Sequence, residues 1–125
     1  MIELPETRLS DTPSPADIQK ALAGEAALIR EKLPKGGAVI AMCIEGRTCS
    51  STELSRKLTD FGVAGKTQIT FLIGGSFGLD EELKRSADWR LSMSPMTVPH
   101  HMARIMLLEQ IYRAYQIADG TRYHK

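Results

Sequence analysis

The run of apolar and polar positions divides the chain into helix-like and strand-like stretches. Ser14-Pro15-Ala16-Asp17 has the marks of a helix start: a side-chain cap, proline at the first helical position and an acid in the first turn. Ile18, Leu22, Ile29 and Leu33 recur at helical spacing behind it, and Pro34 with Gly36-Gly37 ends the run. "AVIAMCI" (38–44) is instead continuously apolar, the pattern of a strand buried on both faces. After the turn "EGRT", Ser50 and Glu53 form a capping box. It precedes a helix with Leu54, Leu58 and Phe61 on one face, stopped at Gly62 or Gly65.

"TQITFLI" (67–73) predicts a second strand, followed by a glycine turn at 74–78 and a short helix capped by Asp80 that carries Leu83 and Ala87. "WRLSM" (89–93) predicts a third strand, with Trp89 and Leu91 on one face and Arg90 on the other. The irregular "SPMTVP" leads into a long helix from about Pro99 to Ile117. Met102, Ile105, Met106, Leu107, Leu108, Ile111, Tyr112, Ala114 and Tyr115 cover most of its circumference, so it is either central or shared with a partner. Residues 2–4 read as a strand remnant. Strands alternating with helices over 125 residues indicate one α/β domain with a mainly parallel sheet.

Charge narrows the partners. The formal net charge is +1, so any polyanion site must be a local patch rather than a basic surface. There is no apolar run of membrane-spanning length, and "MIELP" lacks the basic start and apolar core of a signal peptide, so a cytoplasmic protein is expected. Cys43 and Cys49 suit a reducing compartment; they do not form C-x-x-C, and no further cysteine completes a zinc set, so no metal is expected.

Four features carry candidate chemistry. Gly74, Gly75 and Gly78 follow a strand, where ligands of parallel sheets bind. Their spacing matches neither the dinucleotide fingerprint nor the phosphate loop, and a plain turn accounts for them equally. His100-His101 opens the long helix; adjacent residues diverge, which suits a helix start or interface better than a metal. Glu109 and Arg113, four apart, face the same way as an ordinary helical ion pair or as a polar pair aimed at a site. The tail Arg122, Tyr123, His124 and Lys125 fits RNA phosphates and a stacked base, or a frayed terminus.

Taken in order, "FLIGGSFGL", "LSMSPMTVPHHMARIMLLEQIYRAYQI" and "GTRYHK" closely resemble the RlmH family, bacterial SPOUT-class methyltransferases that modify a pseudouridine of large-subunit ribosomal RNA. The resemblance runs from about Ile2 to Lys125 and includes "ADIQKAL" and "IAMCIEGR". Its most specific marks are the GG-x-x-GL turn, the T-x-PH helix start and the terminal YHK.

The resemblance implies an α/β domain with helices on both faces of the sheet and a C-terminal trefoil knot. It implies S-adenosylmethionine held by Met42, by Gly75, and by Ser94, Pro95, Met96, Thr97, Val98 and Pro99. It implies methyl transfer to N3 of a pseudouridine in the helix 69 loop of 23S ribosomal RNA, on the large subunit or assembled ribosome. Glu109, Arg113, Tyr123 and His124 are then the catalytic candidates: Arg113 orients base or phosphate, and His124 or Glu109 handles the proton. Arg104, Arg122 and Lys125 are the RNA-binding candidates, and a homodimer is implied. Family members carry roughly thirty further residues in front, the length of one strand–helix unit. The chain therefore begins near the family's second strand, which leads to the expectation of unpaired backbone groups or a gap in the sheet, unless the fold is rearranged or another chain fills the place. The competing reading is an inactive dimeric module that binds RNA or a nucleotide.

Overall fold

A computed structural model describes residues 1–124. The elements follow in the order α1 (Pro15–Lys32), β1 (Ala38–Arg47), α2 (Ser51–Val63), β2 (Ile69–Leu72), α3 (Glu81–Ser86), β3 (Trp89–Leu91) and α4 (His100–Ala118). Three helices start where local chemistry places them. The Ser14 and Ser50 hydroxyls accept the N–H groups of Asp17 and Glu53, whose carboxylates reach back to complete both capping boxes. Asp80 caps α3 through the Leu83 N–H. α4 has no side-chain cap; Pro99 supplies only its carbonyl, to the Ala103 N–H.

The strands form a three-stranded parallel sheet in the order β2-β1-β3, with Ala38 opposite Ile69 and Ile40 opposite Trp89. The central strand β1 has helices on both sides. Ala41, with Leu72 of β2, packs against Ala26 of α1 and Leu83 of α3. Ile40, with Leu91 of β3, packs against Leu54 and Leu58 of α2 and Ala114 of α4. Ala38, Ile40 and Ala41 have no exposed surface, which explains the unbroken apolar run.

Three expectations change. β1 does not end at Ile44: it bulges away from β3 between Met42 and Arg47, both of which stand opposite Leu91, and Arg47 C=O then accepts the Ser92 N–H. A side chain at Gly46 would meet the backbone of Arg90 and Leu91 within 2.9 Å, so the returning chain needs glycine there. Residues 2–4 join no strand. That segment is tied down by side chains instead: Glu3 to Arg104 at 4.0 Å, Glu6 to the Ser76 N–H at 2.8 Å, and the Thr7 N–H to Glu25 at 2.9 Å. Finally, no gap opens among the three strands, because β1 pairs directly on both sides.

Candidate functional site

All three strands run the same way, so their carboxyl ends open on one edge of the sheet. The register puts Ala41 beside Leu72 and Met42 beside Leu91. The glycine turn after β2 and the 94–99 segment after β3 therefore leave the sheet next to Met42. The Met42 side chain packs with Ile40 and Leu91 on the α2–α4 side. In the third loop, buried Ser92 donates its hydroxyl to Ser94 C=O at 3.0 Å, and Ser94 Oγ accepts the Met96 N–H at 3.0 Å. Pro95, Met96, Thr97 and Pro99 are exposed, and Val98 is half-buried.

The glycines of the turn have separate tasks. A side chain at Gly74 would strike the Gly78 backbone at 2.4 Å, so Gly74 is needed for the turn to close. Gly78 has φ +80° and donates its N–H to Gly75 C=O at 3.1 Å. At Gly75 the same construction meets only the end of the Glu6 side chain, at 2.6 Å. The turn thus presents a bare backbone and a Ser76 N–H to a small acidic group. The Ser76 N–H holds the Glu6 carboxyl below its ordinary range, with His100 helping. A cleft of about 380 Å³ between Glu6–Ser10 and Ser76–Phe77 adjoins it. With no Cβ at Gly75, a ligand that displaced the Glu6 carboxylate would meet bare backbone there.

The four catalytic candidates come together at the C-terminal half of α4. Arg113 Nε donates to Glu109 Oε1 at 2.9 Å and Nη2 donates to the same oxygen at 2.5 Å. Arg113 Nη1 lies 3.0 Å from His124 Nδ1. The Tyr123 hydroxyl donates to Glu109 Oε1 at 3.3 Å, and its ring lies under the guanidinium at 4.9 Å. Tyr112 meets that ring edge-on at 4.9 Å. The Arg113 hydrogen bonds, with lesser help from Tyr123 and Gln110, hold the Glu109 carboxyl below its ordinary range. Glu109 in turn raises Arg113. Guanidinium only donates, so His124 Nδ1 accepts; a neutral ring then carries its hydrogen on Nε2.

Of the RNA-binding candidates, Arg104 is nearer the start of α4 and reaches Glu3, Arg122 is exposed in the tail, and Lys125 is outside the described residues. Sequence reasoning missed Gln110 and Ser51 as parts of the cluster: Gln110 Nε2 donates to Glu109 Oε2 at 2.9 Å, and Ser51 Oγ donates to Gln110 Oε1 at 2.6 Å. It also missed Lys84, a buried ammonium bonded to Glu45 at 2.5 Å and Glu81 at 2.7 Å.

Residues 1–124 match the family model described as "Predicted SPOUT methyltransferase". The chain belongs to the RlmH family of SPOUT methyltransferases. It is 42% identical over 125 residues to "Ribosomal RNA large subunit methyltransferase H" of Streptococcus suis, covering all of this chain and 79% of that protein. The proteins of the same name from Leuconostoc citreum and Acetivibrio thermocellus are 41% and 40% identical over the same span, again with 79% of each covered.

Proposed function

We propose that the chain is an S-adenosylmethionine-dependent methyltransferase of the large ribosomal RNA, acting on N3 of a pseudouridine in the helix 69 loop of 23S RNA in the cytoplasm. The observation that carries this reading is the cluster Glu109–Arg113–Tyr123–His124, which gathers a guanidinium, an imidazole and an aromatic ring at α4 and the tail. The names of the relatives support large-subunit RNA as the substrate. The finer identity of base and atom rests on the family resemblance.

Met42, Gly75 and segment 94–99 would hold the cofactor, which when bound supplies an electrophilic methyl group. A trefoil knot joining these loops belongs to this reading. So does a homodimer: Met102, Ile105, Leu108, Tyr112 and Tyr115 are about half exposed or more along α4, an apolar face that a second copy would cover. Arg113 has Nε, one hydrogen of Nη1 and one of Nη2 occupied, and offers its two remaining N–H groups to a base carbonyl or a phosphate. His124 adds an Nε2–H donor. Arg104, Arg122 and Lys125 add positive charge for the RNA backbone.

Both Glu109 oxygens already accept hydrogen bonds, and His124 Nδ1 accepts from Arg113. In this reading His124 or Glu109 handles the N3 proton, and the cluster contributes orientation and charge. The test is methyl transfer to large subunits and to intact ribosomes, with the modified nucleoside identified by mass spectrometry. Appearance of N3-methylpseudouridine supports the reading. Cofactor and RNA binding without methylation returns the inactive module; methylation at another atom overturns the assigned target.

A further inference from the structure

α2 and α4 are joined by two hydrogen bonds that span the same length of chain. Ser55 Oγ donates to Ala114 C=O at 2.6 Å, and one turn earlier Ser51 Oγ donates to Gln110 Oε1 at 2.6 Å, each across 59 residues. The first ends on backbone. The second ends on a side chain that continues the chain of bonds: Gln110 Nε2 donates to Glu109 Oε2 at 2.9 Å, Arg113 Nε donates to Glu109 Oε1 at 2.9 Å, and Arg113 Nη1 meets His124 Nδ1 at 3.0 Å.

Each donor and acceptor in this series is forced. An ionised carboxylate only accepts, so the Gln110 amide must turn its nitrogen to Glu109 and its oxygen to Ser51. Ser51 is then a donor. Its hydroxyl is not needed to start α2, because Ser50 is the cap and Glu53 closes the box. Without Ser51 the Gln110 oxygen loses its fixed partner and the amide is free to rotate away from Glu109.

We infer that Ser51 and Gln110 are positioning residues for methyl transfer, setting the orientation of Glu109 and, through it, of Arg113 and His124. This rests on the function proposed above. The alternative is that Ser51–Gln110 is only a tie between helices, as Ser55–Ala114 is, and the Ser55→Ala variant serves as the control for it.

Loss of one hydrogen bond in a site predicts that Ser51→Ala lowers kcat about fivefold with the cofactor KM unchanged, and that Ser51→Thr restores it. Ser55→Ala should lower Tm and leave kcat in place. Gln110→Glu puts a carboxylate against Glu109 and removes the donor. Protonation of the introduced carboxyl at lower pH restores an O–H donor, so the variant's rate relative to wild type at the same pH should rise as pH falls. Equal effects of Ser51→Ala and Ser55→Ala on kcat, or a relative rate for Gln110→Glu that is flat in pH, would overturn the inference.

A second readout needs no activity. Imidazole ¹⁵N spectra, assigned with His124→Ala, should show an acceptor-type Nδ1 and a protonated Nε2 for His124 in the unmodified chain, and averaging of the two in Ser51→Ala and Gln110→Leu. Identical spectra in all three sink the positioning role. If the wild type transfers no methyl group yet the spectra change as expected, the proposed reaction fails and the positioning network stands.

Discussion

The Glu6 carboxylate accepts the Ser76 N–H at 2.8 Å across 70 residues of sequence, and its end lies 2.6 Å from where a side chain on Gly75 would begin. Glu6 is therefore placed to compete with a ligand at Gly75. Glu6→Ala should tighten S-adenosylmethionine binding by about fivefold in calorimetry, the scale of one exposed charge-assisted hydrogen bond removed from the competition. Weaker binding would mean that Glu6 shapes the turn for the ligand.

The same contact has a pH signature. The Glu6 pKa is lowered from its ordinary 4.5, so the folded state binds a proton less readily than the unfolded chain. Its contribution is present above that ordinary value and is lost as pH falls through the lower folded value. Glu6→Gln should give a shallower acid-side decline of stability than wild type, with the two curves converging at the acid end of a denaturant titration series.

Gly74 and Gly75 should respond differently to a methyl group. Gly74→Ala forces the Gly78 backbone aside and should cost about 1–3 kcal/mol in chemical denaturation. Gly75→Ala displaces only a flexible glutamate end and should cost under about 1 kcal/mol, while Gly75→Val should still weaken cofactor binding more than it weakens folding. Equal costs for the two alanine variants would contradict this division.

Lys84 is buried while its partners Glu45 and Glu81 are about half and two-thirds exposed. Burial lowers the Lys84 pKa, but the Glu45 and Glu81 hydrogen bonds outweigh it and the net shift is upward; Lys84 in turn lowers Glu45. The pair is thus stabilising from above the ordinary carboxylate range up to the raised lysine value. Glu45→Gln should cost about 1 kcal/mol at neutral pH, and the cost should vanish on acidification through the Glu45 value. A loss that persists in acid would point to shape rather than charge.

Ile105 is 68% exposed on the apolar side of α4. Ile105→Glu should shift the chain from dimer to monomer in sedimentation equilibrium with its helical content intact. A monomeric wild type would remove the proposed homodimer.

What could be read in advance was what is local. Ser14, Ser50 and Asp80 announce three helices because a cap works within three residues. Glu109–Arg113 was legible because helical spacing brings residues four apart together. The return of Tyr123 and His124 onto that pair follows from no spacing rule, and came only from family resemblance. Glu6–Ser76 and Ser51–Gln110 were beyond reach because the sheet and the α2–α4 packing decide them. The true end of β1 was hidden for the same reason: its bulge exists only where β3 lies alongside.

The twin bonds from α2 to α4 carry a consequence for how quickly the molecule forms. Each closes a loop of 59 residues, and the Val39–Asp88 bond that joins β1 to the lead-in of β3 closes one of 49. Helix caps form within their own turns, but closing such loops costs entropy before any packing offsets it. Refolding should therefore run on the millisecond-or-slower scale of non-local topologies, with helical signal ahead of the Trp89 environment. The α4–tail cluster would be among the last features to reach its working geometry.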